Sequence, residues 1–156
     1  MEMSVDRIGE PISGNLPVCA FVSSSHLFKK VDENDLALVY KSGRLQKYAA
    51  GQVIIREGDE GQEFFLLMSG TVRVVTAGKQ SSVELAQLSR GAYFGEVSLL
   101  TGCPRTATVA ALDEVEIISL LNSDMEGILR RYPKVRKLMQ AVVEGRVRAT
   151  IEKAQA

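Results

Sequence analysis

Glycines fall at short, regular intervals through the middle of the chain, at Gly51, Gly58, Gly61, Gly70, Gly78 and Gly91. The runs between and beyond them are brief and rich in β-branched and aromatic residues, at 53–56, 64–68, 71–75, 83–88, 107–111 and 115–120. Strands that short, broken by residues able to take positive φ, are the tight turns and edges of an antiparallel sandwich or barrel. Within 83–88 the alternation is imperfect, because Val83, Leu85 and Gln87 alternate with Glu84, Ala86 and Leu88. The inward face of that strand stays open.

The flanks have a different period. Leu27, Phe28, Val31, Leu36, Leu38, Val39 and Leu45 are spaced for short amphipathic helices broken near Asp32 and Gly43. After Leu120, Ser123 and Glu126 form a capping-box pattern ahead of Met125, Ile128 and Leu129. Tyr132 and Pro133 end that helix. Pro133 suits the first turn of another, whose apolar stripe is Val135, Leu138, Met139, Val142 and Val143. Residues 1–17 show no period and read as a loosely held leader, linker or irregular arm. The expected organisation is a leader or linker over 1–20 and one domain over 21–156, with helices in 25–46, strands in 47–121 and helices in 123–153.

At 156 residues a second large domain has no room. Nineteen basic residues balance nineteen acidic ones, so no global positive field favours nucleic acid or anionic lipid, and any anion site is local. Cys19 and Cys103 lack the paired spacing of a zinc or redox centre and read as reduced thiols. No apolar run approaches the roughly 20 residues that cross a bilayer. The expectation is a cytoplasmic chain, either standing alone or as the soluble part of a larger membrane protein.

The specific chemistry converges on residues 93–109, YFGEVSLLTGCPRTATV. The segment leaves a strand, makes one helical turn and re-enters a strand. Gly95 lets the backbone approach a ligand closely, and the turn that follows presents free amides of the kind that bind phosphate. Arg105 adds a planar fork of donors. Glu96 would repel a phosphate unless aimed at a hydroxyl donor, and a ribose supplies one. A sugar phosphate with its two parts close together fits, a ribose cyclic phosphate well. Against this, Glu96 and Arg105 could pair with each other, and Gly95 could be an ordinary turn glycine.

Phe94-Gly95-Glu96 and Pro104-Arg105-Thr106-Ala107-Thr108-Val109 closely resemble the phosphate-binding cassette of the cyclic nucleotide-binding domain family. The likeness extends upstream through Gly51-Gln52-Val53-Ile54, Glu57-Gly58-Asp59-Glu60-Gly61, Phe64-Phe65-Leu66-Leu67 and Ser69-Gly70-Thr71-Val72, covering roughly residues 26–145. It implies a mainly β fold with flanking helices: an antiparallel β-roll of the jelly-roll type with about eight strands, helices before it, the cassette helix within it and two helices after. It further implies that Glu96 accepts from the ribose 2'-hydroxyl, that Arg105 binds the cyclic phosphate, and that amides from Gly95 through Val97 to Ser98 complete the cradle. Phe94, Thr106 and Ala107 belong to the same expected site. In this family a hydroxyl at Thr106 can serve the phosphate and can reach the 2-amino group of a syn guanine, which favours tolerance of cGMP, while many relatives that prefer cAMP also carry Ser or Thr there; cAMP is expected first and cGMP comparably or more weakly.

In this family the final helix folds over the ligand as a lid. Arg146 shares a helical face with Met139 and Val142 and could stack on or bond the purine; it could equally be a solvated arginine beside Arg136, Lys137 and Arg148. Val147 and Ile151 are alternative covers. The expected function is a regulatory sensor in which the ligand orders the cassette around Leu99 and Leu100 and the lid closes. No cofactor or metal is expected, the nucleotide being a regulatory ligand. Catalysis is not expected, since no nucleophile stands with a base and His26 is the sole histidine. The partner is an attached effector such as a channel or kinase, or a second copy of the chain, and not nucleic acid. The competing readings are an interaction scaffold that has lost its nucleotide, and the sensor part of a transcription regulator.

Overall fold

The structure is a computed structural model that describes residues 7–154. Two local signals build the first helices. Asn15 caps α1, Leu16–Ser24, by accepting the Val18 amide at 3.3 Å, with Pro17 in the first turn, where its missing donor is harmless. Asp32 caps α2, Glu33–Ser42, by accepting the Asp35 amide at 3.0 Å; acidic residues follow in the first turn and Lys41 stands in the last.

Among the described residues there are nine strands: β1 Glu10–Pro11, β2 Arg44–Tyr48, β3 Val53–Ile55, β4 Glu63–Ser69, β5 Val72–Ala77, β6 Ser82–Leu88, β7 Tyr93–Phe94, β8 Thr108–Ala111 and β9 Val115–Leu121. They form two antiparallel sheets, one ordered β1-β2-β9-β4-β7 and the other β3-β8-β5-β6. The short helix α3, Glu96–Thr101, lies between β7 and β8. The helices α4, Asn122–Arg131, and α5, Pro133–Ala154, follow the last strand. This is the mainly β roll with flanking helices that the sequence led us to expect.

Strand alternation places two cores on opposite faces of the first sheet. Phe64, Leu66, Ile118 and Leu120 face the helices and pack with Phe28, Val39, Met125, Ile128 and Met139. Phe65, Leu67, Val115 and Ile117 face into the roll, where Phe94, Val109 and Val72 meet them. Leu99 of α3 joins the helix-side core, so the cassette turn is packed directly against the material that holds α4 and α5.

Three expectations change. Residues from Arg7 onward are docked: β1 pairs Glu10 with Leu45 and Pro11 with Arg44, Ile12 is fully buried, and α1 begins at Leu16. The helical spacing that reached Leu45 stops at Gly43, because the next five residues pair along β9, with Leu45 opposite Ile118. The Ser123 and Glu126 capping box does not form. Helix α4 starts two residues earlier, at Asn122, whose amide donates to the Gln62 carbonyl at 2.9 Å, and this places Ser123 inside the helix. A tertiary acceptor replaces the local cap. Residues 1–6 and 155–156 lie outside the described residues. Ile12→Val should lower the unfolding free energy in urea by about 1 kcal/mol, as for a core residue; an unchanged midpoint would mean that the arm is not part of the cooperative unit.

Candidate functional site

A cavity of about 300 Å³ opens between the roll and α5. All nine residues expected at the site line it: Phe94, Gly95, Glu96, Val97, Ser98, Arg105, Thr106, Ala107 and Arg146. Its apolar wall adds Ile55, Val74, Leu85, Ala86 and Val109, and α5 contributes Val147, Ala149 and Ile151. Leu85 and Ala86 are neighbours in sequence yet both reach the cavity. The register of β6 on β5 shifts there, with Val74 opposite Ala86 and Val75 opposite Glu84, so Leu85 is the extra residue of a bulge.

Arg105 is held from both ends. Its amide donates to the Asp59 carbonyl and its carbonyl accepts the Gly58 amide, both at 2.8 Å, so the Gly58 turn clamps its backbone. Its side chain turns inward and the residue is only 7 % exposed. Nη2 donates to the Glu63 carbonyl at 2.8 Å, Nη1 to the Gly95 carbonyl at 3.4 Å, and the guanidinium carbon lies 5.6 Å from the centre of the Phe65 ring. Among the described residues no carboxylate forms an ion pair with it. Burial pulls the Arg105 pKa down, and the negative charges of Glu63 and then Glu96 push against that. A guanidinium has five donors, and the two carbonyls leave part of the fork facing the cavity.

The close approach of Arg105 explains two glycines. A Cβ on Gly61 would lie 2.3 Å from the guanidinium carbon. Gly95 takes φ +85°, and its Cβ would stand 2.9 Å from Nη1 and 3.1 Å from the Glu63 carbonyl. What Gly95 admits in this structure is the arginine itself.

Glu96 does not pair with Arg105. It is 1 % exposed, and Oε1 accepts from Nη1 of Arg146 at 2.5 Å, while Oε2 is buried with no hydrogen-bond partner among the described residues. Arg146 also donates through Nη2 to the Tyr93 carbonyl at 2.7 Å. Its side chain is 29 % exposed and lies 5.9 Å from the Tyr93 ring centre. The solvated alternative for Arg146 therefore gives way to a part-buried ion pair with Glu96 in the cavity wall. Burial pushes the Tyr93 phenol up to about 12, with the Glu96 charge adding and Arg146 opposing, so the phenol stays protonated and donates to the Leu138 carbonyl of α5 at 3.4 Å.

The arrangement has separate places for three chemistries. A buried cation and a carboxylate with one orphaned oxygen belong to residues that line the cavity, and an apolar wall of sheet and helix residues suits a flat, weakly polar body. Helix α3 has no side-chain cap, so its first amides are left to whatever binds. His26 is exposed in the turn after α1, and neither cysteine lines the cavity. Among the described residues no cluster of His, Cys, Asp or Glu could hold a metal ion, and no helix is long and apolar enough to cross a membrane.

Comparison with known proteins gives a matching context. The family described as "Cyclic nucleotide-binding domain" matches residues 45–132, more than half of the chain. The potassium/sodium hyperpolarization-activated cyclic nucleotide-gated channel 4 of Homo sapiens is 32 % identical over 149 residues, which cover 94 % of this chain and 12 % of the channel. The catabolite activator protein of Thermus thermophilus superposes with a TM-score of 0.68 at 31 % identity, over 81 % of this chain and 60 % of that one. The regulatory domain of Toxoplasma gondii PKA, crystallised with cAMP, superposes with a TM-score of 0.71 at 23 % identity, over 81 % of this chain and 48 % of that one. The chain thus spans about an eighth of the channel and around half of each of these solved chains.

Proposed function

The chain belongs to the cyclic nucleotide-binding domain family, and from that premise we propose that it is a regulatory sensor module that binds cAMP in preference to cGMP and closes α5 over it. The observation that carries this reading is Arg105, a buried guanidinium whose only hydrogen-bond partners among the described residues are two backbone carbonyls. Such a charge is costly unless an anion completes its shell, and a cyclic phosphate carries one negative charge with oxygens set for the fork.

Glu96 supplies the second half of the recognition. Its orphaned Oε2 would accept a ribose hydroxyl within the same cavity, and the amides of Val97 and Ser98 would join Arg105 on the phosphate. The purine would lie along Val74, Leu85 and Val109, under Val147 and Ile151 of α5. Thr106 lines the wall with Arg105; its hydroxyl would serve a phosphate oxygen and would also meet the 2-amino group of a syn guanine, so cGMP is bound as well, comparably to cAMP or more weakly.

The response follows from how α3 is packed. Glu96 and Ser98 line the cavity, while Leu99 belongs to the core shared with Val135 and Met139 of α5, and Leu100 packs against that core. Ordering the α3 turn around a phosphate therefore bears on α5. Closure can be driven only by the difference in affinity between open and closed states. The free thiols of Cys19 and Cys103 fit a reducing, cytoplasmic setting. The effector would be an attached channel or kinase, or a second copy of the chain.

A calorimetric titration of the chain with cAMP and with cGMP tests the reading. Saturable binding of both, tighter for cAMP, is expected; no saturable heat with either on folded protein would overturn it. Arg146→Ala should weaken cAMP by about fivefold, the scale of a cation–π or polar lid contact. An unchanged affinity would confine Arg146 to its ion pair with Glu96.

A further inference from the structure

The arm before α1 reaches the back of the same site. Arg7 is 10 % exposed at its side chain and is fully engaged: Nε and Nη2 lie 3.3 and 3.2 Å from Oε2 of Glu63, Nη1 donates to the Ser42 carbonyl, and Nη2 also meets the Ser119 carbonyl and hydroxyl at 3.2 and 3.1 Å. Gln46 ties the arm down further, donating to the Ile8 carbonyl at 3.0 Å and the Ser119 hydroxyl at 3.2 Å.

Glu63 is the shared residue. Its carboxylate takes Arg7, while its carbonyl takes Nη2 of Arg105. On β4 it points to the same side as Phe65, two residues on, and Arg105 lies over the Phe65 ring. One carboxylate therefore stands near two guanidiniums, and it is bonded to the one that does not line the cavity. Its charge is felt at Arg105 all the same, as the largest electrostatic influence opposing the effect of burial there.

We propose that Arg7 is a positioning residue for the anion site: by holding the Glu63 carboxylate, it keeps Arg105 free of a carboxylate partner and available to the phosphate. Without Arg7, a largely buried carboxylate would be left unpaired, and the nearest compensation is Arg105. Glu63 would then screen and draw away the donors that the phosphate needs. The coupling is reciprocal: whatever withdraws the arm lowers ligand affinity, and bound ligand holds the arm in place by the same free energy. The arm thereby becomes an input to the sensor.

This inference rests on cyclic-nucleotide binding at Arg105, so the test begins from wild-type affinity. Calorimetric titration with cAMP is carried out on the full chain as wild type, Arg7→Ala, Glu63→Gln and the double variant, with thermal melts as a check on folding. Removing Arg7 should weaken cAMP by about tenfold when Glu63 keeps its charge, and by no more than about twofold in the Glu63→Gln background. Simple loss of arm packing would weaken both backgrounds equally, and that result would overturn the proposal, as would wild-type affinity in Arg7→Ala. Arg7→Gln keeps donors for Ser42 and Ser119 without the charge, and with its Glu63→Gln partner it carries the same comparison should Arg7→Ala fail to fold. Absence of cAMP binding by the wild type would instead defeat the functional reading itself, and the inference with it.

Discussion

Arg105→Ala is expected to weaken cAMP binding by about 3 to 4 kcal/mol, several hundredfold, while changing the stability of the ligand-free chain by no more than about 1 kcal/mol. The asymmetry follows from the partners. In the free chain the guanidinium has the Glu63 and Gly95 carbonyls, the Phe65 ring and the unbonded charges of Glu63 and Glu96 to offset its desolvation, so removing it gives up those contacts and a buried charge together. With a phosphate present, the same side chain makes charge-assisted bonds for which alanine has no substitute. Titration calorimetry measures the first quantity. Thermal melts with and without cAMP measure the second: the wild type should gain stability on adding ligand, and the variant should gain almost none. Arg105→Lys should fall between, keeping the charge but losing the fork. Wild-type affinity in Arg105→Ala would remove the central support for the site.

How much of this could be read from the sequence depended on whether a signal was local. The strand runs survived because turn glycines punctuate the runs from 53 to 88 and because alternation divides strands such as β4 between two cores, as Phe64 and Leu66 do against Phe65 and Leu67. The cassette residues were legible because they lie close together in the chain and line one cavity. The arm was not. Ile12 and Arg7 are single residues without a period, and each is buried by partners distant in sequence, such as Gly43 behind Ile12 and Glu63 against Arg7. The same holds for Asn122, whose helix start was settled by the Gln62 carbonyl, a group to which no capping rule refers. The β6 bulge that turns both Leu85 and Ala86 to the cavity is a property of pairing with β5, and it is why the alternation in that strand looked weak. Helical spacing brought Arg146 to the correct face but could not show that Glu96 and the Tyr93 carbonyl would take both ends of its fork.

Adjacent residues on β4 should separate the fold from the site. Phe64→Ala is expected to cost about 3 to 5 kcal/mol in urea unfolding, since the ring is fully buried on the helix side and meets Tyr93 at 5.5 Å between centres. Its effect on cAMP affinity per folded molecule should be slight, because the void opens away from the cavity. Phe65→Ala should cost a similar amount in stability, but its ring faces into the roll, stacks on Phe94 at 5.0 Å and lies beneath the Arg105 guanidinium. There the loss removes the surface against which the arginine is held, so affinity should fall as well, by about tenfold for a desolvated cation–π support. Equal losses of affinity in the two variants would mean that Arg105 is positioned by its carbonyl partners and the Gly58 turn alone. A loss confined to Phe65→Ala would show that a single step along β4 passes from the core that supports the helices to the one that supports the site.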